Sequence, residues 1–217
     1  CLVGSEMCIR DRENGMYVNA IRVYQKLLER EDLSEQRKGF AASVRYNLGC
    51  AYSYLFQMEK AQECFLEAYR EEGAERLVLL GDLLYHGPRN DLPEEYAPKQ
   101  VIAMLNPLKD KLLCVRGNCD TEVDQMVLDF PVMAEYAYIC CDGLRIFATH
   151  GHKFNCDNLP PLSKGDILLH GHTHVPVIKD QGDYTYINPG SVSIPKENSA
   201  HSYLILENGK FSFGELI

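Results

Sequence analysis

Residues Ile167 to His174 read ILLHGHTH, a short apolar run that turns abruptly into a cluster of histidines. A run of this length, closed by turn residues, reads as a buried strand. The same design recurs three times upstream. Leu77 to Leu80 runs into Gly81-Asp82, Leu112 to Val115 into Gly117-Asn118-Cys119-Asp120, and Leu144 to Ala148 into Thr149-His150-Gly151-His152. Pro98 to Leu108 lies between the first two, with Val101, Ile102 and Leu105 at helical spacing, which predicts a parallel βαβ unit. Tyr184 to Ile187 and Tyr203 to Leu206 read as further strands, so the C-terminal part of the chain is expected to be α/β.

In open α/β sheets ligands collect at the carboxyl ends of the strands, so four polar clusters placed there converge on one region. The residue types suit divalent transition metals: a carboxylate that can bridge, an amide oxygen and neutral imidazoles. In an extended segment His172 and His174 point the same way, with Thr173 turned back. Gly81, Gly117 and Gly171 are expected to allow the tight turns that bring the following side chains to the site.

GD, GNCD, THGH and GHTH, in this order and spacing, resemble the calcineurin-like metallophosphoesterases, and within them the small bacterial YfcE-type phosphodiesterases. The resemblance runs from about Glu75 to Gly209 and takes in HGPRND, VRGNCDTEVDQM and NPGSVSIPK. It implies a four-layer αββα sandwich with a dinuclear centre of Mn, or alternatively Zn or Fe. Asp82 is then the bridging ligand, Asn118, His150 and His172 complete one metal, and His174 binds the other. A metal-bridging hydroxide would attack the phosphoester. Cys119 stands where many relatives carry a proton-donating His; a thiol is the poorer acid at neutral pH, which favours activated diester or phenolic leaving groups. Asp120 is either part of this catalytic group or an orienting residue, and His86 and Arg89 are candidates for touching the phosphate. His152, His170 and His201 are expected to be structural.

One family element is absent. Superfamily members open on a strand ending in Asp-x-His, which supplies ligands to the metal that His174 also binds, and no Asp-x-His occurs in this chain. The expectation is a sandwich lacking its first strand, with one tight and one weak or empty metal site and impaired activity. From Asn14 to Arg70 the period is helical instead, with Ala20, Tyr24 and Leu27, then Leu48, Ala51, Tyr52 and Leu55, then Ala61, Phe65 and Ala68. This resembles about one and a half tetratricopeptide repeats, short of the roughly three that bury a solenoid core. The expected organisation is therefore a cloning or assembly scar at 1–12, a tetratricopeptide-like helical segment at 13–72 and a metallophosphoesterase domain at 73–217. A chimeric reading frame accounts for all three features together.

Of 217 residues, 22 are basic and 31 acidic, for a net charge of −9. Without a basic cluster, duplex nucleic acid is excluded as a partner. No apolar run approaches the roughly 20 residues of a membrane helix. Nine scattered cysteines without a CxxC pair point to a reducing cytoplasm. The expected partner is a small phosphodiester substrate. A protein partner through the helical segment, and a homo-oligomer, are compatible with the sequence. The alternative function is a non-catalytic scaffold: a helical-repeat arm on a degenerate metallophosphoesterase fold, as in the retromer scaffolding subunit.

Overall fold

The computed structural model describes residues 17–29, 44–45, 47–48, 69–70, 73–85, 87 and 96–216. The chain divides into two compact units, Cys1–Glu75 with Leu216–Ile217, and Arg76–Glu215. In the first unit, helix α1 (Tyr17–Leu28) buries Ala20, Ile21 and Tyr24 against Val44 and Leu48, with Val23, Leu27 and Leu28 at the margin. Ala20, Tyr24 and Leu27 lie on one helical face, as their spacing predicts. Ala51, Leu55, Ala61 and Phe65 lie outside the described residues.

The second unit opens with the expected βαβ arrangement. Strand β1 (Leu77–Leu79) pairs in parallel with β2 (Leu112–Cys114), Leu77 opposite Leu112 and Leu79 opposite Cys114. One further bond, from Val115 N–H to the Leu79 carbonyl at 3.0 Å, carries the pairing to the strand ends. Helix α2 (Pro98–Leu105) starts on Pro98, whose missing N–H is no loss in a first turn. It stops short of the expected Leu108 because Pro107 has no N–H to continue the helix; residues Asn106–Lys111 tighten into a 3-10 turn instead. Leu84, Leu105, Leu112, Cys114, Leu128, Phe130 and Val132 form the core here. Burial, followed by the nearby Asp120 charge, pushes the Cys114 thiol up to about 12, so this cysteine behaves as a small apolar side chain. Helix α3 (Glu122–Val127) follows, with Thr121 N–H donating to the Asp124 carboxylate at 2.6 Å in a capping box.

A five-stranded mixed sheet forms the body of the unit. Its strands are β3 (Tyr136–Cys141), β4 (Leu144–Thr149), β5 (Asp166–His170), β6 (Val177–Asp180) and β7 (Tyr184–Asn188), in the order β3-β4-β5-β7-β6. β4, β5 and β7 run parallel, and β3 and β6 close the edges antiparallel. Every residue of β5 is buried, as a central parallel strand requires. Ile146, Ala148, Ile167, Leu169 and Ile187 make the second core, onto which Leu80, Leu204, Leu206 and Phe211 pack. The last three come from strands β8 (His201–Glu207) and β9 (Lys210–Leu216), which pair as a separate ribbon. Asp142-Gly143 and Asn208-Gly209 are both left-handed, which makes the β3-β4 and β8-β9 connections tight two-residue turns. The α/β expectation holds, with the strand ends of β1, β2, β4 and β5 carrying the polar clusters.

Candidate metal centre

The two loops after β1 and β2 are drawn together by backbone contact. Gly81 has φ +89°, and a Cβ on it would lie 2.2 Å from the Gly117 nitrogen; a Cβ on Gly117 would lie 2.0 Å from Asp82 Oδ1. Only glycine fits at either place. Gly171, expected to serve the same purpose, does not: its φ is not positive and an added Cβ would meet ordinary contacts at 3.6 Å and beyond. Asp120 locks the loops from below. Its carboxylate, in a residue 2% exposed, accepts N–H bonds from Asp82 (2.8 Å), Leu83 (3.0 Å) and Gly117 (2.7 Å). Asp120 thus positions Asp82 rather than facing a substrate.

Asp82, itself left-handed at φ 55°, accepts Cys119 N–H on Oδ1 at 2.8 Å, which leaves Oδ2 turned to His150 Nε2 at 3.4 Å. His150, 2% exposed at the end of β4, donates Nδ1–H to the Leu80 carbonyl at 2.6 Å. In the neutral ring that bond makes Nε2 a bare lone pair. Asn118 Oδ1 and His172 Nδ1 each stand 3.0 Å from it. On its other side the Asn118 amide donates Nδ2–H to Cys119 Sγ at 3.1 Å.

Four atoms, Asp82 Oδ2, Asn118 Oδ1, His150 Nε2 and His172 Nδ1, therefore meet with at most one proton, on His172, to satisfy them. A separation near 3.0 Å is what neighbouring ligands adopt on a cation with bonds of about 2.1 Å. The donor set fits a divalent transition metal. Among the described residues no three His, Cys, Asp or Glu side chains form a finished cation cage, so the set depends on the Asn118 oxygen and on closure around the ion.

His174 extends the site. Its Nδ1 donates to the Ile194 carbonyl at 2.7 Å, so Nε2 is again a free lone pair in the neutral ring. Burial, the first cause in each, holds both His172 and His174 below the usual histidine range. Both are thereby kept in the neutral form a metal ligand needs. They do not reach the site from an extended strand: His172 has φ 65° and His174 φ 63°, so a left-handed turn presents them.

Of the remaining candidates, Cys119 sits beside Asn118, and a Cβ on Gly87 would come within 3.2 Å of its sulfur. His86 and Arg89 lie outside the described residues. His170 is buried and stacks on Tyr186 at 4.6 Å, and His201 is exposed. His152, expected to be structural, lies with its ring 5.3 Å from His150 and 6.4 Å from His172, and its Nδ1 is buried without a hydrogen-bond partner. The orienting carbonyls of Leu80 and Ile194 left no trace in the sequence, because every residue has a carbonyl and only the fold selects these two.

A carboxylate and an amide after β1 and β2 thus meet imidazoles after β4 and β5, the donor set of a divalent-metal centre. The family model of the calcineurin-like phosphoesterase superfamily domain matches residues 57–210, and the chain belongs to that superfamily. It is 50% identical over 152 residues to phosphodiesterase YfcE of Escherichia coli, covering 70% of this chain and 83% of that protein. A solved structure of Escherichia coli YfcE, described as a phosphoesterase, superposes with a TM-score of 0.65 over 68% of this chain and 81% of that one, at 50% identity. A phosphodiesterase of Methanocaldococcus jannaschii is 23% identical over 133 residues, 58% of this chain and 72% of that protein. The family match begins at residue 57 and so takes in part of the segment expected to be tetratricopeptide-like, an expectation that rests on the sequence alone. No described helix is long and apolar enough to cross a membrane.

Proposed function

We propose that this chain is a metal-dependent phosphodiesterase acting on small phosphodiesters, with Asp82, Asn118, His150 and His172 holding one divalent cation and His174 contributing to a second. Mn is the cation first in line, with Zn or Fe as alternatives. The observation that carries the reading is the convergence of Asp82 Oδ2, Asn118 Oδ1 and His172 Nδ1 on the His150 lone pair. When bound, the cations supply a water of lowered pKa and positive charge against the phosphoryl oxygens.

The chain's own residues do the rest. Leu80 and Ile194 set the tautomers of His150 and His174. Asp120 fixes the loop that aims Asp82. Cys119, beside Asn118, stands where many relatives carry a proton-donating His, and a thiol in that role suits esters whose leaving group needs little protonation, such as phenolates.

Asp-x-His is missing throughout the chain, so among the described residues the second cation has fewer ligands than the first, and reduced turnover is the expectation. The same absence favours a second reading, a non-catalytic scaffold that keeps one metal for structure. Hydrolysis of an aryl phosphodiester with added Mn²⁺, measured beside metal content, separates them. The proposal expects about one tight cation per chain and slow hydrolysis, both lost in Asp82→Ala. Hydrolysis no faster in the parent than in Asp82→Ala would refute the enzyme reading, and metal retained without turnover would favour the scaffold.

A further inference from the structure

Two of the residues assigned to the metals, His172 and His174, are held in left-handed backbone at φ 65° and 63°. His172 is also the centre of a three-residue turn, closed by Thr173 N–H donating to the Gly171 carbonyl at 2.8 Å. A γ-turn with positive φ on a residue other than glycine is rare and strained, and persists only where its surroundings hold it. The holding group lies on β7.

Asn188 is fully buried at 0% exposure and reaches across to this turn. Its Nδ2 donates to the Gly171 carbonyl at 2.8 Å and to Thr173 Oγ1 at 2.9 Å, with Tyr186 Oη further off at 3.3 Å. The orientation of the amide is unambiguous, because Oδ1 accepts Gly190 N–H at 2.9 Å on the opposite side. Both amide protons therefore grip the turn, one at the residue before His172 and one at the residue after it. Aspartate offers no proton here, and glutamine is one methylene longer in a fully buried place.

We infer that Asn188 is a positioning residue for the metal centre: its side-chain amide clamps the strained Gly171–Thr173 turn and so aims His172 at His150 and the cation. The inference rests on the metal-binding reading above. The hydrogen bonds of Asn188 go to Gly171, Thr173, Tyr186 and Gly190 and not to a ligand side chain, so it acts through the turn, and losing such an orienting partner weakens metal binding roughly 10- to 100-fold.

The test is Mn²⁺ titration by calorimetry on the full chain, its Asn188→Asp and Thr173→Val variants, and His172→Ala as the reference for a lost ligand. Thr173→Val keeps the side-chain shape and removes one of the two acceptors. The expected result is a parent that binds, Asn188→Asp weakened roughly 10- to 100-fold and Thr173→Val weakened by less, with near-UV circular dichroism of the folded chains unchanged. A parent that binds no Mn²⁺ defeats the metal reading itself. A parent that binds, with both variants binding equally well, overturns the clamp. If Asn188→Asp does not fold, the parent decides: the through-bond-assigned side-chain amide protons of Asn188 should shift and exchange more slowly when Zn²⁺, a diamagnetic probe that imidazoles bind, is added. Resonances unmoved by a cation that His172 is seen to feel overturn the inference.

Discussion

Replacing Asp120 by Asn changes one atom and should damage the molecule more than its conservatism suggests. The carboxylate accepts three backbone N–H groups, Asp82 and Gly117 on Oδ2 and Leu83 on Oδ1. An asparagine oxygen can keep the first pair, but its NH₂ then faces Leu83 N–H, donor against donor. A hydrogen bond to a charged acceptor contributes about 1.5–3 kcal/mol, and a buried donor left unmet costs about 1–3 kcal/mol. With the two retained bonds weakened by loss of the charge, the total is about 3–5 kcal/mol. That is a large share of the about 5–15 kcal/mol by which domains are stable. Urea unfolding of parent and Asp120→Asn, followed by tyrosine fluorescence, measures it, and Mn²⁺ affinity should fall in the same variant because Asp82 is no longer held. A loss of stability below about 1 kcal/mol would refute the assignment of Asp120 as the lock of both loops.

Three further outcomes follow from the geometry. Gly117→Ala places a methyl 2.0 Å from Asp82 Oδ1 and should weaken Mn²⁺ binding at least about tenfold, whereas Gly171→Ala meets only ordinary contacts and should alter stability by less than about 1 kcal/mol; equal effects would contradict the close-approach reading. The Arg145 guanidinium, bonded in two places to buried Asp166, holds that carboxyl below the usual range. The folded pKa is depressed, so the pair's stabilisation is present above about pH 4 and is lost as pH falls through the folded value. Asp166→Asn should therefore show a flatter decline in thermal midpoint below pH 4 than the parent. Mn²⁺ at about a hundredfold over its dissociation constant should stabilise the chain by about 2.7 kcal/mol, reversed by chelator and absent in His150→Ala.

The elements that could be read from the sequence are those whose burial makes them apolar throughout. β5 is buried at every residue and β4 at its last four, and both stood out as runs. β3 did not, because as an edge strand it alternates Tyr136, Tyr138 and Cys140 outward with Ala137, Ile139 and Cys141 inward. The Asp142-Gly143 turn after it, and Asn208-Gly209 before β9, were the available signals for these two strands. The candidate ligand residues were legible because their chemical types are rare and follow strand ends. Their geometry was not: the left-handed backbone at His172 and His174 is a feature of the folded chain, where the Asn188 amide of β7 bonds the residues on either side of His172 and Ile194 bonds the His174 ring.

The apposition of Gly81 and Gly117 implies something about how such a centre can change. The spacing between the carboxylate of Asp82 and the amide of Asn118 is governed by the close approach of Gly81 and Gly117, which substitutions at other positions leave in place. Exchanging one ligand type for another can retune affinity and metal preference while the interatomic span stays constant. Widening or narrowing that span, for a cation of different radius, demands insertion or deletion in one of the two loops. The centre is thus chemically adaptable and dimensionally rigid.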